Sequence, residues 1–544
     1  MKYFKRPKRP TDLIIYTIFV AVVVLFIWLF RFLPMQDYPD LLFQGFVFSQ
    51  FIKGEPLPDY QITNYPVTHA MPTLLIGAFN LFFPAEVSGK IFLTIYALLF
   101  AFGSFYLINS LDPKINSALS YIPFILTFNY PFFHGNLAYI FSLGVLFVGI
   151  GYIVRHHQAL DRINIWILLG LSILIHLSHL VAYLAWLIFI AIFLVFNFRK
   201  SLLKKLFLGL APSLIMLLIY GMPYLKNARL IAYIGLPDLL TVVKNVYQGF
   251  RYLCIFHSFY PFLDPDSSFI KLIAGLNLGF ILCIFILCLY WLRDLFKMHR
   301  TKMALSLTAL VFIIYLFIAP PLLIGLFRPG RRFLFPAIWI IFTYLAPKFN
   351  SRIRPNICQG IKILILILFV FEAVFLFAYA GSISRKMEQV YSELRQSELG
   401  KDFLVVHESH FDYEDYFQRS YQSLLLLPSH SPLSRLPYYI NIEELSYAPI
   451  FHTGIIVDKG RYSGLHFALK RASSITNMVD YPKCMVLLGQ SEGNHVIARL
   501  LSANYNIVSD QNYSLVMKRK DKLPHRSSVP GDKEIDKAAS VVIK

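Results

Sequence analysis

Long unbroken apolar runs dominate the first 380 positions of the chain. They show neither the strict alternation of half-buried strands nor the one-sided stripe of surface helices. Most fall within the roughly 17–25 residues with which a helix crosses the hydrocarbon core of a bilayer. The runs lie at 13–33, 89–108, 117–133, 136–154, 163–178, 180–197, 206–222, 269–292, 303–320, 333–347 and 361–380. They predict about eleven membrane spans. Two stretches depart from this pattern. After Pro39, the side chains Leu41, Leu42, Phe43, Phe46, Val47, Phe51 and Ile52 recur at helical spacing up to Gly54, which predicts a short helix on the membrane interface. Residues 71–84 are apolar but short, as an interfacial or re-entrant piece would be. Within 223–268, rich in Tyr, Phe and Pro, Leu236 to Phe250 predicts a further interfacial helix.

From Ser382 the pattern changes: charge rises and the long apolar runs stop. Asp402–His407 and Cys484–Gly489 read as buried strands. Asn506–Ser509 and Tyr513–Lys518 read as a closing hairpin, and Asn494–Leu501 as a helix. The predicted fold is mainly α, a polytopic membrane helix bundle of about eleven spans with a small C-terminal extracytoplasmic α/β domain. The membrane part covers 1–381, with outer loops 34–88 and 223–268. The α/β domain covers 382–520, and the polar residues 521–544 form a disordered tail.

Charge gives this arrangement a direction. A net charge of +20 invites a nucleic-acid reading, but Lys and Arg cluster in short segments between the apolar runs, so nucleic acid is excluded as a partner. Lys2, Lys5, Arg6, Lys8 and Arg9 precede the first run and place the N-terminus in the cytoplasm. The same rule assigns to the cytoplasm Arg155 and Arg162, Arg199 to Lys205, Arg293 to Lys302, and Lys348 to Lys362. An odd number of spans then leaves everything after Gly381 outside a cytoplasmic membrane. The first run is too long for a cleaved signal peptide and lacks a small-x-small site before Met35. Five cysteines show neither metal-ligand spacing nor a disulfide framework.

Candidate chemistry starts at Met35-Gln36-Asp37-Tyr38-Pro39-Asp40, where the chain leaves the first span. Asp40 follows Pro39 in a first helical turn, where an acid also serves the helix dipole. Asp37 lies outside that turn and is the better candidate for a general base on a hydroxyl, or for a metal ligand. Phe327-Arg328-Pro329-Gly330-Arg331-Arg332 puts three guanidinium groups on a short loop assigned outside, against the positive-inside trend. Such a cluster suits a phosphate or pyrophosphate. His69, His134 with Asn136, and the pair His176 and His179 all fall at outer turns. Singly they read as interfacial or hydrogen-bonded histidines. With the two acids they leave open a polar cleft or a divalent metal ion as cofactor. Glu372 lies inside the last span, as a functional acid or as a partner for a neighbouring helix. There is no glycine-rich phosphate loop and no nucleotide fingerprint.

With the acidic motif Gln36-Asp37-Tyr38-Pro39-Asp40 just past the first span, interfacial helices in the same loop, and Arg328, Arg331 and Arg332 on a later outer loop, the chain resembles the C-type integral-membrane glycosyltransferases. That resemblance implies a sugar donor linked to polyprenyl phosphate, and a glycan, lipid or protein acceptor at the outer membrane face. It implies that Asp37 and Asp40 are catalytic. It also implies that Arg328, Arg331 and Arg332 suit the carrier phosphate; His69, His134, Asn136 and His179 complete the set of candidate substrate- or phosphate-binding residues. The motif departs from the protein-mannosylating branch, whose two acids are adjacent. A lipid-linked oligosaccharide polymerase, ligase or flippase, or a non-catalytic membrane scaffold, shares enough of these features to stand as an alternative.

Overall fold

The computed structural model describes residues 10–35, 38–112, 118–133, 135–226, 238–253, 279, 282–284, 286–291, 300–319, 322–323, 326–327, 329–352, 354–396, 403–407, 456–458, 484–488, 505–510 and 514–520. The helices in chain order are α1 (Pro10–Leu29), α2 (Tyr38–Lys53), α3 (Ala70–Asn80) and α4 (Ala85–Ile108), then two short ones, α5 (Ile122–Ile125) and α6 (Tyr130–Phe133). α7 (Leu137–Arg155), α8 (Ile165–Ser178), α9 (Leu180–Phe196), α10 (Lys200–Lys226) and α11 (Leu239–Leu253) follow. The last three are α12 (Arg300–Ile318), α13 (Leu334–Arg352) and α14 (Pro355–Gln396). Among the described residues, five helices are long and apolar enough to cross a membrane, and α1, α3, α8, α9 and 282–291 add shorter apolar ones.

The expected span at 117–133 is not a continuous helix. It is a 3₁₀ turn at Ala118–Tyr121, then α5, a second 3₁₀ turn at Leu126–Phe128, then α6. Pro123 and Pro131 remove donors along its length, and broken backbone at membrane depth survives only where protein surrounds it. The segment is buried along its described length. Its freed groups are met locally. Tyr96 Oη donates to the Thr127 carbonyl (2.7 Å), Asn129 Nδ2 donates to Leu126 O (2.9 Å), and the Phe132 amide donates to Asn129 Oδ1 (3.0 Å).

The helix from Pro39 forms as expected but does not lie on a surface. Tyr38 through Gly45 are all buried, because α2 packs between α3 and α4. A Cβ on Gly45 would meet the Ile76 side chain, and one on Gly77 would meet the Gly45 carbonyl at 3.0 Å, so α2 and α3 cross at two glycines. α4 and α7 cross in the same way, with the Gly144 carbonyl against Gly103. An aromatic core fills the middle of the bundle: Trp339 stacks on Phe147 at 5.5 Å, and Phe19 meets Phe369 edge-on at 4.2 Å.

The helices alternate between two ends. α1 finishes where α4, α7, α9 and α13 begin, and the ion pair Arg31–Glu86 (3.1 Å) joins α1's exit to α4's first turn. This is called the upper end below. α14 passes it by far. Tyr391, near its far end, takes the Arg31 guanidinium over its ring at 4.7 Å.

Beyond α14, the described strands are β4 (Phe403–His407), β5 (Ile456–Asp458), β6 (Cys484–Leu488), β7 (Tyr505–Asp510) and β8 (Ser514–Arg519). Four form one sheet in the order β4-β6-β8-β7, with β4 parallel to β6 and the other pairs antiparallel. β7 and β8 are the expected hairpin; the helix expected at 494–501 lies outside the described residues. β1 (Tyr60–Ile62) belongs to the first loop, and β2 (Leu322–Leu323) pairs with β3 (Leu326–Phe327) ahead of the arginine turn.

Candidate active site

Four chain segments meet at the upper end. The first is the approach to α3. His69 heads that helix with a left-handed backbone (φ 72), the one positive-φ residue other than glycine among the described residues. Only glycine adopts this region without cost, and such strain gathers at functional sites. Its ring is held from behind, where Thr68 Oγ1 and His69 Nδ1 share a hydrogen bond of 3.1 Å.

The second segment is the turn between α8 and α9. His179 is its single residue, extended at φ −166 and ψ 130, so it breaks the helix rather than continuing it. His176 and His179 therefore do not share one helical face. His176 packs edge-on against Tyr183 at 5.0 Å instead. His179 caps α9: the Val181 amide donates to its Nδ1 at 3.1 Å. The His179 and His69 rings meet edge-on with centroids 4.4 Å apart.

The third segment is the 3₁₀ turn Pro329–Phe333 that opens α13. Gly330 makes this turn possible. A Cβ there would collide with Ala319 and crowd the carbonyls of Tyr315 and Leu316 at 3.1 and 3.3 Å. The turn brings Arg332 Nη1 to 2.7 Å from His179 Nε2. The fourth segment is the start of α7. Tyr139 donates its hydroxyl to the Arg332 carbonyl, offers its ring to the guanidinium at 5.8 Å, and packs against His179 at 5.2 Å. Asn136 stands one turn earlier as the residue preceding α7, half-buried.

Burial first, then the neighbouring His69 and Arg332, hold the His179 imidazole well below the usual histidine range, so it is neutral at pH 7. A neutral ring carries one proton. It can therefore accept at one nitrogen only, and the Val181 amide at Nδ1 and the guanidinium N–H at Nε2 compete for that place. The guanidinium's other N–H groups would serve an anionic oxygen beside the ring.

Asp40 lies on α2, which packs against α3. It is fully buried in α2's first turn, unlike an acid that merely complements a helix dipole from the surface. Gln44 Nε2 donates to Asp40 Oδ2, and Thr73 Oγ1 donates to Gln44 Oε1, each at 3.3 Å. Thr73 is one turn into α3 from His69, so a polar chain links the acid to the helix that His69 heads.

Of the residues singled out from sequence, the structure brings together His69, His179 and Arg332, with Asn136 one turn from Tyr139. Arg331 is in the same turn and half-buried. Asp37, His134 and Arg328 lie outside the described residues. Glu372 does not join the cluster. It is buried at mid-depth in α14, and among the described residues neither carboxyl oxygen has a hydrogen-bond partner. Sequence reasoning missed Tyr139, Gln44, Thr73 and Thr68. Tyr139 carried a faint signal, one turn after the flagged Asn136; the other three carried none. Among the described residues no three His, Cys, Asp or Glu side chains converge as a metal site. The guanidinium beside His179 suits an anion rather than a cation.

These apolar helices, closed around a half-buried cationic turn, make the chain a multi-pass membrane protein. Two solved structures narrow the architecture. Crystal structures of ArnT from Cupriavidus metallidurans, in the apo state and bound to undecaprenyl phosphate, have TM-scores of 0.50 and 0.51 against this chain. They are 11% and 10% identical to it, over 95% and 96% of this chain and 99% and 100% of theirs. At that identity the likeness is one of fold. No protein-family model matches the chain, and no curated protein matches it in sequence.

Proposed function

We propose that this protein is a membrane glycosyltransferase that moves a sugar from a polyprenyl-phosphate carrier to a hydroxyl acceptor at the outer face of the cytoplasmic membrane. The observation that carries this reading is the contact of Arg332 with His179 and, through it, His69. Three segments far apart in sequence deliver a half-buried cation and two histidines to one point. The fold likeness to ArnT, one structure of which holds undecaprenyl phosphate, supports the class of carrier.

In this reading the acceptor hydroxyl loses its proton to the Asp37 carboxylate as its oxygen attacks the anomeric carbon. The new C–O bond forms as the bond from that carbon to the phosphate oxygen breaks, with inversion. The electron pair leaves on the carrier phosphate. Arg332, steadied by His179 Nε2, holds the charge that develops there. Arg331 adds a second guanidinium to the turn, and Arg328 is a further candidate for the phosphate. His69 and Asn136 bound the cleft, His134 is a further candidate for substrate, and the buried Asp40 fixes the start of α2. A positioned general base contributes roughly 10²–10⁴ in rate.

The test uses purified protein in nanodiscs, offered a polyprenyl-phosphate sugar and, separately, a polyprenyl-pyrophosphate one. Transfer from the monophosphate donor, lost in Asp37→Asn with membrane insertion unchanged, is the expected result. Near-wild-type transfer by Asp37→Asn sinks the assignment of the base. Transfer from the pyrophosphate donor alone favours a polymerase or ligase, and movement of lipid without a new bond favours a flippase.

A further inference from the structure

Residues 54–69 join the helix that carries Asp40 to the helix headed by His69. Both ends of this segment have left-handed backbone, Gly54 at φ 80 and His69 at φ 72. β1 lies in its middle, but its strand partner is not nearby in the chain. β1 pairs antiparallel with β5, in the register Tyr60↔Asp458, Gln61↔Val457 and Ile62↔Ile456. β5 takes no place in the sheet β4-β6-β8-β7. It lies instead against α2 and β1. Tyr60 is buried, with its ring edge-on to Phe43 of α2 at 5.7 Å, whereas Gln61 and Ile62 are exposed. The seam therefore has a packed side toward α2 and an open side.

A left-handed non-glycine residue persists only where its surroundings hold it. Thr68 holds the ring of His69, and β1, further back, holds the segment that leads to it. We propose that β5 is a positioning strand: by pairing with β1 it fixes residues 54–69 against α2 and thereby sets His69 against His179. The region after α14 then acts on the candidate active site through the membrane part's own first loop, without supplying a group that touches substrate. This rests on the reading that His69 belongs to the carrier-phosphate site, and the experiment separates the two.

Full-length protein in nanodiscs carries Gln61→Cys with Val457→Cys. Directly opposed antiparallel residues bring Cα atoms to about 4.5–5.5 Å, within disulfide reach. The expected result is a 61–457 cross-link, identified by mass spectrometry of the joined peptides, with transfer retained. A second protein carries Ile456→Pro with Val457→Pro. One of two consecutive amides must face β1, so this pair removes a ladder donor in either phase. Modification of His69 by diethyl pyrocarbonate should rise by about threefold or more as the segment opens. Transfer should fall by about tenfold or more in kcat, with little change in KM for the carrier. Failure to cross-link, or His69 labelling equal to wild type in the double-proline protein, overturns the proposal. A wild-type protein that transfers no sugar sinks the functional reading instead, and still leaves cross-linking and labelling to decide this one.

Discussion

The two ends of the bundle both carry cations, and they treat them in opposite ways. At the lower end, Arg162, Arg199, Lys200 and Lys204 are exposed, and Lys205 reaches the Asp161 carbonyl at 2.5 Å. Arg155 and Lys362 lie over the rings of Tyr106 and Tyr121 at 5.4 and 5.0 Å. These contacts are at the protein's edge, where solvent or lipid headgroups complete them. At the upper end, the half-buried Arg332 is turned inward between His179 and Tyr139, whereas Arg31, paired with Glu86 and Tyr391, stays exposed. The contrast separates two uses of positive charge. Exposed cations in short connections orient a membrane protein by their number, and any one is dispensable. A cation drawn into the protein is costly unless an anion or a fixed dipole awaits it.

The largest effect should follow from exchanging the two kinds of cation. Arg332→Ala should cost about 10²–10³ in transfer rate, the scale of a lost donor to developing charge. Arg162→Ala at the opposite end should leave the rate within about twofold, because an exposed charge contributes little. Equal losses would erase the distinction between the ends. Gly330→Val comes next. Its side chain would collide with Ala319 and push the arginine turn off the end of α12. It should lower transfer by about tenfold or more, with an overpacking cost of about 1–3 kcal/mol read as a fall in Tm.

His179 gives a smaller effect with a defined sign. Its folded-state proton affinity lies below the ordinary value of 6.5. The folded protein therefore refuses a proton that the unfolded chain takes up below that pH. The stability contribution is complete above pH 6.5 and shrinks as pH falls. Thermal melting from pH 8 to 5 should show acid destabilisation that His179→Gln partly flattens; an unaltered slope would place His179 outside the buried cluster. The smallest effect is expected from Lys204→Ala, with transfer and Tm both near wild type.

Much of this was legible in the chain because a bilayer demands long apolar runs, whose positions in sequence mark the helices. Span 136–154 and α7 nearly coincide, as do 180–197 and α9. The run at 117–133 was equally apolar, and hydropathy alone does not distinguish a continuous helix from a broken one buried in protein. Pro123 and Pro131 were the available signal. For the site, Arg332 was legible because three arginines cluster on a short loop that the sequence reading assigns outside, against the charge rule, and His179 because a polar residue interrupts two apolar runs. Tyr139, Gln44 and Thr73 were not, because a Tyr, Gln or Thr near a membrane surface is ordinary. Only packing across segments distinguishes them.

α14 spans 42 residues. At about 1.5 Å per residue it is roughly twice as long as the ~30 Å hydrocarbon layer is thick. A helix that long transmits azimuth as well as height. Each residue added or removed between Gly381 and Tyr391 turns everything beyond it by about 100°. A one-residue deletion there would lower the projecting half by only about 1.5 Å, yet swing Tyr391 away from Arg31. The phase of this single rod fixes the compass bearing from which the C-terminal strands reach back toward the first loop.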